Sequence, residues 1–349
     1  MPGWARVLVA GLTVTLVLEL WVRSVETYLP PRNSAGVGEV ALKRDRLRAL
    51  ATTPGTPALV FIGDSMMDAA VDPDAFLAAS NRFPSAYNAA LMGARLQTQA
   101  RWANDIVLPT ARPKMVVHGM SPTLVSSFGM DPQGLSVYDS ILDTNITSVN
   151  DDVWSSTDEA ASDLSSTIKH RNSLRYPSTL LNATWARASG GRPFGEFGRP
   201  DGFWEKALAP TGQIKEFATG KSSGTVPEGL LPHLRLLVES PIDYSQVNQA
   251  LAIYRTKESP LVVVIQPAAL DAMRTSGINV EKWRAISTGL ADHVRATGVP
   301  VIDFTDAGYP NDVFFDPFHL NAAGSTRYSA DLARRVADLC QTDPTLRCP

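Results

Sequence analysis

Three residue types in this sequence, a serine, a histidine and a carboxylate, stand where they could do nucleophilic chemistry together. Ser65 lies in the stretch 58–67, ALVFIGDSMM, in which Leu59, Val60, Phe61 and Ile62 run without alternation into Gly63-Asp64-Ser65. An unbroken apolar run of this length reads as a strand buried on both faces, as in a parallel sheet. Gly63 allows a sharp turn, and Ser65 then lands at the carboxyl end of the strand, where open α/β sheets collect ligands and reacting side chains. A serine hydroxyl is a poor nucleophile until a base takes its proton. Far downstream, 314–324 reads FFDPFHLNAAG and sets Asp316 three residues before His319. On a tight loop that spacing can lay the carboxylate against one ring nitrogen and leave the other free. Taken singly, each residue has a plainer reading: Asp64 or Ser65 as a helix cap, Asp316 as a turn residue before Pro317, His319 as a loop histidine. The three together favour a Ser-His-Asp triad.

The segments GDSMM, YNAALMG and DPFHLN, in that order, resemble the first, second and last motif blocks of the SGNH (GDSL) hydrolases. The resemblance implies Ser65 as nucleophile, His319 as base and Asp316 as its orienting carboxylate. It further implies an oxyanion hole from the backbone N–H groups of Ser65 and Gly93, with Asn88 and Ser121 as helpers. The third block of that family carries Gly-x-Asn-Asp, whereas this chain has His118-Gly119-Met120-Ser121-Pro122, so Ser121 stands where the Asn is expected. In this departure the chain is similar to a membrane-anchored branch that resembles D-alanyl and O-acetyl transfer proteins of bacterial envelopes. The resemblance covers 58–121 and 243–339.

The elements that must hold these residues follow from periodicity. After the strand ending at Ser65, a helix is expected over 73–80, a short strand over 86–89 and a turn at Gly93. A helix over 96–108 and a third strand over 114–117 complete a β-α-β-α-β pattern. The pattern resumes with a helix over 244–254, a strand over 261–265, a helix over 281–297, a strand over 299–304 and a helix over 325–339. The expected fold class is α/β: a flavodoxin-like three-layer α/β/α sandwich on a five-stranded parallel sheet, the fold of the SGNH hydrolases, preceded by an N-terminal transmembrane helix. The domain reading is 1–29 anchor, 30–57 linker and helix, 58–339 hydrolase domain with an insertion at 122–242, and 340–349 tail. Within the insertion, 155–167 is rich in Ser, Thr and Asp, 164–188 is expected to be helical, and 190–204 places Phe194, Phe197 and Trp204 among glycines. Asn145 and Asn182 begin glycosylation sequons, which matter only in a eukaryotic secretory host. Gly36-Val-Gly38 matches a loose dinucleotide fingerprint but follows no strand and is set aside.

Apolar residues make up 44 % and charged residues 19 % of the 349, enough for an ample core. A net charge of −3 gives no sign of nucleic-acid binding. Lys43-Arg44-Asp45-Arg46 reads as the solvated face of an amphipathic helix over 39–51. The five histidines are scattered without paired metal-ligand spacing, and neither a metal nor a cofactor is expected. The stretch 7–22 is apolar except for Thr13, Thr15 and Glu19, and Trp4, Trp21 and Tyr28 flank it as interfacial aromatics do. A cleaved signal peptide is the alternative to an uncleaved anchor; no small-x-small site directly follows the apolar run, which favours the anchor. Glu19 within it either meets a multipass partner or reaches the outer headgroups. The only two cysteines, Cys340 and Cys348, close a short Pro-containing loop, and a disulfide there suits an oxidising compartment.

These features together lead to one expectation: a membrane-anchored, extracytoplasmic serine O-acyltransferase or esterase. It would act on O-acyl esters of cell-envelope carbohydrate or lipid, with a multipass O-acyltransferase as a candidate partner. The alternative is a non-catalytic glycan- or partner-binding subunit of such a system, which the Ser121 departure favours and the intact Ser65, Asp316 and His319 oppose.

Overall fold

A computed structural model describes residues 3–29, 35–53, 56–126, 164–170, 174, 177–190, 203–215, 217–220, 222, 224–255, 260–343, 346 and 348. Its elements run α1 (Gly3–Val25), α2 (Ala35–Ala51), β1 (Leu59–Ile62), α3 (Ser65–Ala70), α4 (Pro73–Ala79), β2 (Ala86–Asn88), α5 (Leu96–Trp102) and β3 (Met115–Met120). They continue with α6 (Ser166–Lys169), α7 (Pro177–Ala188), α8 (Leu231–Glu239), α9 (Ser245–Arg255) and β4 (Leu261–Ile265). The last are α10 (Leu270–Thr275), α11 (Val280–Arg295), β5 (Val301–Asp303) and α12 (Ala322–Thr342). The chain divides into two compact units: Met1–Gly38 with Asp143–Trp204, and Glu39–Leu142 with Glu205–Pro349.

The second unit is an α/β structure on a five-stranded sheet in the order β2-β1-β3-β4-β5, every pair parallel. That order is one of the two common doubly wound arrangements. Strand β1 is hydrogen-bonded on both edges, with Phe61 opposite Asn88 on one side and Val117 on the other. Leu59, Phe61, Val117, Val262 and Val264 point to one face and share a core with Tyr328, Leu332 and Val336 of α12. Burying each such aliphatic or aromatic side chain stabilises the fold by about 1.5–3 kcal/mol. The opposite face carries His118, whose ring meets Tyr254 of α9 edge-on. With β1 to β4 buried on both faces, alternation disappears from the sequence, as it does in β1 and β4.

Several boundaries depart from the expected ones. Strand β3 extends to Met120 because His118, Gly119 and Met120 pair with Val263, Val264 and Ile265 of the long neighbour β4. A separate short helix, α3, begins at Ser65 itself, with Asp64 as its N-cap accepting from the Met66 N–H. The closing helix starts at Ala322, capped by the Asn321 side chain on the Gly324 N–H. Helix α2 begins at Ala35 and takes in Gly36 and Gly38. The two ends of the expected insertion meet, since Ser126 and Ile242 form an antiparallel bridge. Its 205–242 part belongs to the sheet unit, where α8 packs on α11. Cys340 and Cys348 are joined as a disulfide, and the bridged tail packs on the α12 side of the core.

In the first unit, the helical stretch Gly3–Tyr28 is long and apolar enough to cross a membrane, and its side chains from Val7 to Leu20 are mostly exposed. Val22, Val25 and Leu29 pack instead against Leu180 and Ala183 of α7. The carboxylate of Glu19 is engaged within the chain. It accepts from Arg23 Nε at 2.7 Å, Ser165 Oγ at 2.8 Å, and the N–H groups of Ser166 and Thr167 at 2.9 and 3.0 Å. The expected helix over 164–188 is represented by α6 and α7. Asn145, most of the 155–167 stretch, Phe194 and Phe197 lie outside the described residues.

His118 is a buried titratable group of the sheet. Its Nε2–H donates to Gln99 Oε1 at 2.7 Å, an oxygen that can only accept, which puts a proton on Nε2. Burial pushes its pKa down to about 3. An unfolded histidine titrates near about 6.5. The folded state therefore binds fewer protons than the unfolded state between those values, and stability falls as pH drops from about 6.5 towards 3. The expected slope is about 1.4 kcal/mol per pH unit for this one site. Urea unfolding of the detergent-solubilised chain at pH 7, 6, 5 and 4 should show that slope reduced in His118→Gln. An identical acid slope in both proteins would contradict the assignment.

Candidate active site

Ser65 sits where a fully buried strand becomes a helix. Two glycines allow α3 to lie directly on the sheet: a Cβ at Gly63 would approach Met67 Cβ to 2.5 Å, and one at Gly119 would approach Met67 Sδ to 2.7 Å. As the first residue of α3, Ser65 has a backbone N–H with no intrahelical acceptor. Asp64 beside it is buried, and burial pushes its carboxyl upward against the opposing Met66 N–H and the charge of His319.

His319 comes from the loop between β5 and α12. Asp316 organises that loop: its Oδ1 accepts the N–H groups of Phe318 and His319 at 2.8 and 2.9 Å, and its Oδ2 faces His319 Nδ1 at 2.7 Å. Burial raises the Asp316 pKa, but the His319 hydrogen bond and charge and the two N–H groups outweigh it, leaving the carboxyl below its usual range. Phe315 N–H closes the loop onto the His319 carbonyl at 2.7 Å. On the other side of the ring, His319 Nε2 lies 2.9 Å from Ser65 Oγ. A carboxylate on Nδ1 favours the tautomer with the proton there, so Nε2 accepts the serine hydroxyl. The His319 and Asp316 side chains retain 15 % and 16 % exposure, so the pair is shielded but reachable.

Phe217, which nothing local in the sequence singles out, stacks on His319 with ring centroids 4.1 Å apart and planes 3° from parallel. Phe315 meets Phe217 edge-on. The segment is tied down by Asn321 Nδ2 donating to the Gly220 carbonyl and by the Ala322 N–H donating to the Ala218 carbonyl. The described 205–242 part of the insertion thus supplies one wall of the site.

The remaining expected residues fall in distinct places. Gly93 lies in the turn after β2 with φ of +65°, a left-handed conformation that favours glycine, and is exposed. Asn88 is fully buried, and its Nδ2 donates to the carbonyls of Met67, Asp68 and Val71 while its Oδ1 accepts from the Ala90 N–H. Its amide therefore braces α3 against β2 and is not directed at Ser65. Ser121 is buried; its hydroxyl is 2.6 Å from Thr123 Oγ1 and makes only a long 3.5 Å contact to Asp64 Oδ2.

Behind the Gly93 turn lies a buried charge cluster. Lys43 Nζ meets Glu39 Oε1 at 3.1 Å and Asp68 Oδ1 at 2.8 Å, and also donates to the Ala90 carbonyl. Glu39 in turn accepts the Met92 N–H. The expected solvated face therefore holds for Asp45 and in part for Arg44 and Arg46, whereas Lys43 turns inward and is fully buried. Burial, reinforced by the Glu39 carboxylate and opposed by Lys43, holds the Asp68 carboxyl well above its usual range. The cluster links α2, α3 and the turn that carries Gly93.

No protein-family model matches the chain, and no curated protein matches it.

Lys43→Met leaves two carboxyl groups buried without their cation. Unfolding of the detergent-solubilised chain should show a loss of about 3–5 kcal/mol. A loss under about 1 kcal/mol, the scale of an exposed pair, would show the cluster to be solvated.

Proposed function

We propose that this chain is a membrane-anchored serine esterase or O-acyltransferase of the SGNH type, working outside the cytoplasm on O-acyl esters of envelope carbohydrate or lipid. The observation that carries the reading is the hydrogen-bonded line from Ser65 Oγ through the His319 ring to Asp316, at 2.9 and 2.7 Å. The strand order, with Ser65 at the carboxyl end of β1, supports the SGNH assignment alongside the motif resemblance.

In this mechanism Ser65 Oγ attacks the acyl carbonyl as its proton passes to His319 Nε2. Asp316 holds the ring and favours the imidazolium that forms. The negative charge on the carbonyl oxygen is met by the Ser65 and Gly93 N–H groups. His319 then protonates the departing alkoxide, leaving an acyl-Ser65 ester. Water or an acceptor hydroxyl, deprotonated by His319, releases the acyl group. Which of the two resolves it depends on water exclusion and acceptor positioning. The apolar N-terminal helix and the insertion segment that brings Phe217 over His319 favour transfer.

A second reading, a non-catalytic subunit that binds glycan or a multipass acyltransferase, is favoured by Ser121, whose hydroxyl is held by Thr123 in place of a free third-block donor. A chromogenic acetyl ester, offered with and without oligosaccharide acceptors and followed by mass spectrometry, separates the readings. The wild type should release acetate or form acetylated sugar, and Ser65→Ala should lose roughly a thousandfold or more of that turnover. Equal turnover in Ser65→Ala would remove the enzymatic reading; free acetate alone across a broad acceptor panel would make the protein an esterase.

A further inference from the structure

We infer that α7 is a second membrane-contact element, whose Leu181 and Trp185 enter the boundary between lipid headgroups and acyl chains beside α1. The inference rests on the membrane-anchor reading of α1 and extends it to a segment that sequence periodicity marks only as helical.

The argument begins with length. The 26 residues of Gly3–Tyr28 extend about 39 Å at about 1.5 Å per residue, against a hydrocarbon core of about 30 Å. Some of the helix must therefore lie among headgroups. The exposed apolar side chains run from Trp4 to Trp21, whereas Val22 and Val25 are covered by protein. The surplus therefore falls at the C-terminal turns, and Trp21, an interfacial residue by type, marks the level of the boundary.

Helix α7 is held at that level. Trp21 Nε1 donates to Thr184 Oγ1 at 2.9 Å, and Arg187 donates to the Ser24 carbonyl. Leu180 and Ala183 form the face of α7 that packs on α1. Leu181 and Trp185, one helical turn apart on another face, are 57 % and 75 % exposed. A leucine and a tryptophan each more than half exposed would be unfavourable in water, and the helix that carries them is fastened to the end of the apolar helix α1. Tryptophan suits this boundary because its ring is apolar while its N–H still reaches polar groups. Leu164, the most exposed of these apolar residues, lies at the same height, since Arg23 Nη2 donates to its carbonyl at 2.8 Å. The occupant that follows from this attachment to α1 is a lipid bilayer.

Depth-resolved fluorescence quenching tests the inference with the full chain in phosphatidylcholine vesicles. Bromines are placed either near the headgroups or deep in the acyl chains, and iodide serves as the aqueous quencher. The chain has seven tryptophans, so each signal is read as the difference between wild type and one variant. The emission removed by Trp185→Phe should be lost with shallow bromines, largely retained with deep ones, and shielded from iodide. Emission removed by Trp4→Phe reports the anchor independently. If the Trp4 signal is quenched by lipid while the Trp185 signal stays open to iodide and untouched by either bromine, α7 is overturned and the anchor stands. A Trp4 signal blind to both bromines overturns the anchor and this inference with it. A Trp185 signal shielded from iodide yet blind to lipid, with Leu181→Cys crosslinking between copies, gives the face to a second copy and also overturns the proposal.

Discussion

Strand β1 has no freedom to move: it is paired along both edges and covered on both faces, and Leu59 to Ile62 are wholly buried. Ser65 inherits that rigidity because only Gly63 and Asp64 separate it from the strand. The missing side chains of Gly63 and Gly119 are what allow α3 to start there without pushing off the sheet. A nucleophile fixed to within a few tenths of an ångström is what proton transfer across a 2.9 Å contact requires. The other partner is fixed by different means. His319 lies on a loop, yet Asp316 fills the loop interior with three hydrogen bonds and Asn321 ties its far end to the Gly220 and Asp312 carbonyls.

The Glu39–Lys43–Asp68 cluster extends this rigidity to the Gly93 turn. Buried ions rarely gain stability over apolar packing, but removing one partner is strongly unfavourable. The cluster therefore acts as a constraint: α2, α3 and the turn at 90–93 are held in positions in which the three side chains meet.

Much of this was legible in the sequence where the signal is local. The run 59–62 announces a doubly buried strand, and Asp316-x-x-His319 announces a carboxylate held on an imidazole by a short loop. Other features rest on pairings between distant segments, which leave no local period. Lys43 stands in a charged run and reads as solvated, because the two carboxylates that bury it lie on α2's preceding turn and on α3. Phe217 sits in a stretch of mixed small and polar residues and gains meaning only when Asn321 and Ala322 fold it over His319. Asn88 reads as a potential donor to the oxyanion until α3, which periodicity did not mark, is seen to present carbonyls of its last turn and cap to it. Glu19 reads as an odd charge in an apolar helix until the N–H groups of Ser166 and Thr167 arrive from a segment far along the chain.

The central claim, that Ser65 is a hydroxyl activated by His319, is tested most directly by a fluorophosphonate probe and peptide mass spectrometry on the full chain. An activated serine displaces fluoride from phosphorus and keeps the adduct, whereas an ordinary serine does not react. The account predicts an adduct on the peptide bearing Ser65, absent in His319→Ala although Ser65 itself is retained. An unmodified Ser65, or equal labelling with and without the His319 imidazole, would contradict it.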